Sequence, residues 1–262
     1  MGGLKAWWRS RAATRERARF DSADWDRAWG ALPLMTSLPP EPSSRLAELA
    51  LLFLRYKALE PAQGLALTDR MRLMIAFQAS LPVLELGLDW YDDWYSVIVY
   101  PDAFIPQHEV MGDDGVVWID PTVKAGESWD RGPVILSWAD VLEDTTLDGH
   151  NVILHELAHK LDGRSGSTNG CPPLHKEMSG TAWKKAFTAA YDDLRKRVDR
   201  GEAAPIDLYA AESPAEFFAV ASEAFFEIPR SLIHAYPEIY TLLRQFYRQH
   251  PRQRLADTRT SL

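Results

Sequence analysis

The sequence predicts an α+β fold, and three observations carry that prediction. Apolar residues recur at helical spacing through the first third of the chain, β-branched and aromatic runs bounded by Gly, Asp and Pro follow, and helical periodicity then returns. Helices first, a small sheet in the middle and helices again is the order of an α+β protein.

The elements follow in chain order. Leu4 to Trp29 reads as helix, and "LPLMTSLPPEPSS" interrupts it with four prolines, as a loop or cap between helices would. "SRLAELALLFLRYKAL" and "LTDRMRLMIAFQASL" are the next two helices, the second behind a Thr68 or Asp69 cap. "WYSVIVY", "GVVWID" and "GPVILSWADV" are the expected strands of a small mixed sheet. Helices return from Leu147 through "HELAHKL", with "TAWKKAFTAAYDDLRKRV" and between Ser213 and Phe226, and the last dozen residues, 251–262, read as a frayed, disordered tail. The reading is one domain over residues 1–262, with a helical region at 1–80 and a core at 81–250.

Composition narrows the function classes. With 37 acidic and 29 basic residues the formal charge is −8, which offers no general footprint for direct contact with nucleic acid. The longest apolar run, Leu49 to Leu54, is too short to span a bilayer. Basic residues cluster in "LKAWWRSRAATRERAR" without a following apolar run, which argues against export. Trp7 and Trp8 in that stretch leave two readings: contact with a membrane surface, or a solvated helix with a tryptophan packed inward. A single cysteine, Cys171, excludes an internal disulfide and a multi-thiolate zinc site, and suits the reducing cytoplasm.

The chemistry concentrates in "NVILHELAHKLDG". His155 and His159 are four residues apart, so a helix presents both imidazoles on one face to a single ion. Glu156, rotated by about 100° from His155, can reach a water on that ion. This is the HExxH arrangement of zinc peptidases, in which the carboxylate takes a proton from a polarised water. A bare HExxH also arises by chance, so its surroundings matter. Val152, Ile153, Leu154, Leu157, Ala158 and Leu161 make the helix apolar, and Gly163 stops it. Buried His and Glu are costly without partners, and a metal removes that cost. Lys160 is unusual after the second histidine.

A catalytic zinc needs a third protein ligand. The spacing HExxHxxGxxH is absent, since Asp162 and Ser165 stand at its last two defined positions. His175 is one candidate, in a loop. Glu216 is another, in "YAAESPAEFFAVASEAFFEIP", where Glu216, Glu223 and Glu227 share a helix face. That face also reads as a solvated acidic surface. Glu216 further fits a capping box with Ser213 and Pro214, so ligand and cap remain open on the residues alone.

"VILHELAHKLDG" together with "YAAESPAEFFAVASEAFF" resembles the Mlc titration factor A family of zinc peptidases, whose catalytic core is similar to that of the anthrax lethal factor protease. "VIVYPDAF", "AGESWDRGPVILSW" and "PEIYTLLRQFY" are also similar to family segments. The resemblance implies a zincin-like fold in which one Zn²⁺ per chain is bound by His155, His159 and Glu216. It implies Glu156 as general base and Tyr209, seven residues before the third ligand, as an assisting hydroxyl. It further implies that the strand carrying Val134, Ile135, Leu136, Ser137 and Trp138 holds an extended peptide substrate. The activity implied is aminopeptidase-like. The rival expectation is a protein that sequesters a transcriptional repressor with little turnover.

Overall fold

In a computed structural model, the structure describes residues 2–102, 109–111, 117–119, 132–143 and 145–257. Four helices open the chain: α1 (Gly2–Arg17), α2 (Ser22–Gly30), the one-turn α3 (Pro33–Thr36) and α4 (Pro40–Tyr56). Strand β1 (Ala58–Pro61), helix α5 (Asp69–Ser80) and strand β2 (Ser96–Tyr100) follow. Then come β3 (Glu109–Met111), β4 (Val117–Ile119), β5 (Val134–Ser137) and α6 (Trp138–Glu143). The C-terminal half is helical: α7 (Val152–Asp162), α8 (Gly180–Asp199), α9 (Pro214–Glu227), α10 (Pro229–Ala235), α11 (Pro237–Tyr247) and α12 (Pro251–Asp257).

The helix starts are written locally. Thr68 Oγ1 accepts from the backbone N–H of Met71 at 3.3 Å, Asn151 Oδ1 from Leu154 at 3.0 Å and Ser213 Oγ from Glu216 at 3.2 Å, each satisfying an orphan donor of the first turn. Pro214, Pro229 and Pro237 stand at first helical positions, where a missing N–H costs nothing.

The sheet differs from the expected mixed one. Strands β1, β2 and β5 form a three-stranded sheet in that order, parallel throughout, with Ala58 opposite Ser96 and Val97 opposite Val134. The antiparallel pair β3–β4 is separate. Parallel neighbours need a crossover, and α5 provides it between β1 and β2. β1 escaped the sequence reading because "ALEP" is too short and too polar to show alternation. The third expected strand ends at Ser137: Trp138 already begins α6, whose Asp140 N–H is received by Ser137 Oγ at 3.3 Å. The tail expected to fray contains α12, with Pro251 buried, and residues 258–262 lie outside the described ones.

Helix α9 is the axis of the C-terminal core. Every residue from Phe217 to Glu227 is buried, because α7, α8, α10 and α11 all pack around it. Aromatic rings fill the space: Trp183 stacks on Phe187 with centroids 4.2 Å apart, and Phe225 stacks on Tyr247 at 5.5 Å. Each fully buried Phe of this set contributes about 1.5–3 kcal/mol through area removed from water. Glu223 and Glu227 are therefore interior residues, which corrects the solvated acidic face. The second correction concerns α1, where Trp7 and Trp8 are 47% and 59% exposed and neither packs inward.

Candidate metal centre

Two helices build the centre. α7 carries His155, Glu156 and His159, and α9, packed directly on it, carries Glu216 in its first turn. His155 Nε2 lies 3.0 Å from Glu216 Oε2, His159 Nε2 lies 3.2 Å from the same oxygen, and the two nitrogens are 3.1 Å apart. Among the described residues, these three alone form a group of His, Cys, Asp or Glu with ligand atoms within 4.8 Å of one another.

The donor set fits a metal ion. An ion bonded to nitrogen and oxygen at about 2.0–2.1 Å in tetrahedral geometry sets its ligand atoms about 3.3 Å apart. A near-equilateral triangle of 3.0, 3.1 and 3.2 Å matches that spacing, and two imidazole nitrogens facing each other there need a positive centre between them. Where a proton supplies the charge, burial disfavours charging His155, yet its hydrogen bonds to Glu216 and Glu223 push it up to about 10. Glu216 responds in the opposite sense: burial raises it, and the two histidines draw it down to about 2.

The backbone and the side chain of Glu216 meet different partners. Ser213 caps α9 through the Glu216 N–H, while the Glu216 carboxylate turns towards the histidines. His175 is occupied elsewhere: its Nε2 meets the Phe246 carbonyl at 2.8 Å, and its ring packs on Trp90 and Phe246. Lys160, odd for this position in the sequence, is buried with Nζ donating to the Gly132 carbonyl at 2.9 Å, just ahead of β5.

The remaining expected residues fall around this triangle. Glu156 is part-buried on α7. Tyr209 sits on a 3-10 turn, Leu208–Ala211, with its ring 5.9 Å from that of His155 and 54% exposed. Partial burial, and then the charges of Glu216, Glu156 and Glu212, raise the Tyr209 hydroxyl, so it faces the same acidic site. Val134, Ile135, Leu136 and Ser137 lie on β5, which pairs only with β2 among the described strands and packs on α7. Trp138 belongs to the first turn of α6.

Sequence reasoning missed the support beneath the histidines. Glu223 Oε1 meets His155 Nδ1 at 2.8 Å, and its Oε2 accepts the Asn151 N–H at 2.5 Å. Burial raises this carboxyl, but contacts with His150, His155 and Asn151 hold it below the usual range. Glu227 accepts from Gly149 N–H at 3.1 Å and from Asn151 Nδ2 at 3.0 Å, and Asn151 Nδ2 also reaches Gln78 Oε1 at 2.7 Å. A signal was present: α9 is apolar all round apart from Ser222 and three glutamates, and a helix of that kind is buried, so its carboxylates need partners.

The chain matches known proteins over nearly its full length. A family model described as glucose-regulated metallo-peptidase M90 covers residues 4–248. The chain is 40% identical over 244 residues to Mlc titration factor A of Escherichia fergusonii, with 92% of each chain covered. It is 41% identical over 246 residues to Mlc titration factor A of Edwardsiella ictaluri, covering 92% of this chain and 93% of the other. With Mlc titration factor A of Pectobacterium atrosepticum the identity is 42% over 234 residues, covering 88% of each. A match of this extent, joined to a His/His/Glu centre that can hold a metal, places the chain in the glucose-regulated metallo-peptidase M90 family, that of Mlc titration factor A.

Proposed function

We propose that this protein is a zinc-dependent, aminopeptidase-like hydrolase of peptide bonds, working in the cytoplasm with one Zn²⁺ per chain. The observation that carries the reading is the convergence of His155 Nε2, His159 Nε2 and Glu216 Oε2 within 3.2 Å, with Glu156 on the same helix. Zinc held by these three residues supplies Lewis acidity, to a water and to the scissile carbonyl.

The chain's own groups do the rest. Glu156 accepts the proton of the attacking water and delivers it to the departing amine. Tyr209, with its hydroxyl kept protonated, donates a hydrogen bond to the oxygen on which negative charge develops. The edge of β5 that no described strand pairs offers backbone N–H and C=O groups to an extended peptide, which fixes the register of the scissile bond. Glu223 accepts the Nδ1–H of His155, leaving the Nε2 lone pair aimed at the centre.

The test is hydrolysis of a peptide library by purified protein with and without a chelator. Chelator-sensitive cleavage restored by zinc supports the reading, and cleavage indifferent to chelator sinks it. The name of the relatives, Mlc titration factor A, supports a second reading, in which the chain also binds a transcriptional repressor. Glu156→Gln separates the two, since repressor binding does not need the carboxylate.

A further inference from the structure

Helix α1 presents an outward face that the metal centre does not use. It packs on α4 through a side that includes Ala13 and Glu16, both buried. On the far side, counting 100° per residue, Trp7, Arg11, Arg15 and Trp8 fall within one arc of about 100°. All four are exposed. The two indoles meet edge to face at 5.0 Å, and the Arg11 guanidinium lies 4.6 Å over the Trp7 ring. The helix is fixed to the body: Arg9 pairs with Asp89 at 2.6 Å, and the Asp89 carbonyl also receives Arg164 at 3.3 Å, just beyond α7.

Charge separates along the chain in the same sense. Residues 1–20 contain six basic side chains and one acidic, Glu16, which is buried and paired with Arg19. The other 242 residues hold 23 basic against 36 acidic. An anionic sheet of charge therefore attracts this helix and repels the remainder, which orients the molecule with α1 foremost. Solvation alone gives no reason for two adjacent exposed tryptophans, whereas indole, with an apolar ring and one N–H donor, favours the boundary between lipid headgroups and acyl chains. Arginines interleaved with the rings along one helical stripe place cations in the plane of lipid phosphates while the indoles sit at headgroup depth, and the strong separation of basic α1 from an acidic remainder favours a flat anionic surface.

We propose that α1 docks the protein peripherally on anionic phospholipid bilayers, with Trp7 and Trp8 inserted at headgroup depth and Arg11 and Arg15 on lipid phosphates. The proposal is independent of the peptidase reading. The experiment is co-sedimentation of the full chain with vesicles of phosphatidylglycerol mixed with phosphatidylethanolamine, against vesicles of phosphatidylcholine alone. Wild type should bind the anionic vesicles, release at high salt and ignore phosphatidylcholine. Trp7→Ala with Trp8→Ala, and separately Arg11→Glu with Arg15→Glu, should each weaken partitioning by at least about tenfold. Lys184→Glu with Lys185→Glu, equal in charge and placed on α8, should change it by less than about threefold. Circular dichroism confirms that each variant folds. Equal binding to both vesicle types, an α8 variant as impaired as the α1 variants, or tryptophan variants that bind like wild type would each overturn the proposal. So would vesicle binding that is absent while an acidic protein partner is captured through the same tryptophans.

Discussion

His155 Nδ1 is held at 2.8 Å by Glu223 Oε1, a carboxylate only 1% exposed, whose other oxygen accepts the Asn151 N–H that precedes the metal helix. One buried side chain thus contacts both His155 and the start of the helix that carries it. We expect Glu223→Gln to weaken zinc binding about 10–100-fold while the protein stays folded. Competition with a chromogenic chelator measures it. His150→Ala, at an exposed imidazole whose Nδ1 lies 3.4 Å from the same carboxylate, should leave zinc affinity nearly unchanged. Equal affinity in wild type and Glu223→Gln would show that the contact is not functional.

Glu156→Gln should retain zinc and lose turnover by at least about a hundredfold, since the amide preserves shape and cannot accept the proton. Metal content and peptide hydrolysis are measured on the same preparation. Undiminished hydrolysis would remove Glu156 from the mechanism.

Glu216→Ala should abolish stoichiometric zinc binding, because two histidines alone make a weak site. Glu212→Ala, one turn earlier and outside α9, should keep it. The cap is a separate matter: Ser213→Ala should cost about 0.5–2 kcal/mol of stability through the Glu216 N–H it leaves unpaired. Urea titration and zinc competition on the three variants distinguish the roles. Normal zinc in Glu216→Ala would exclude it as a ligand.

Gly170 has φ +80°, and a Cβ there would stand 2.4 Å from the Pro214 carbonyl oxygen. Pro214 opens the helix that carries Glu216, so the substitution presses on the centre itself. Gly170→Ala should cost about 1–3 kcal/mol and also weaken zinc binding. Gly166→Ala, at φ +102° with open space around it, should cost backbone strain alone. Thermal melts with and without zinc read both terms, and equal zinc affinity in the two variants would disprove the coupling.

Asp162 ends α7 fully buried, and burial pushes its carboxyl up to about 6 from 3.8 despite the Gly170 N–H it accepts at 2.6 Å. A folded pKa above the unfolded one stabilises most below pH 4, and that contribution is lost as pH rises through about 6. In metal-free protein, stability relative to Asp162→Asn should therefore fall by about 2–3 kcal/mol between those limits. Urea unfolding of the pair across that pH range checks it; a flat difference would contradict the assignment.

The legibility of this molecule in its sequence divides along local and non-local lines. The histidine pair could be read because four residues of helix bring His155 and His159 together without help from the rest of the chain. The caps at Thr68 and Ser213 are similarly local. The helix expected from Leu147 instead starts at Val152, because the Asn151 side chain accepts the Leu154 N–H and caps it there. β1 was not legible: "ALEP" becomes a strand only because β2 lies beside it. The inward Trp expected of α1 failed for a related reason, since periodicity does not say which side of a short helix its neighbours will cover.

The sequence by itself determined the succession of a helical region, a region with strands and a second helical region, the HExxH helix and the caps at Thr68 and Ser213, because each depends on residues within a turn or two of one another. Tertiary structure decided which oxygen lies beside the two histidine nitrogens. Ser213 satisfies the backbone of α9 whichever way the Glu216 carboxylate points, and only the packing of α9 on α7 turns it towards two nitrogens 57 and 61 residues away. The same packing takes Glu223 out of water, and a carboxylate that has lost its solvent must find donors, which His155 and Asn151 provide.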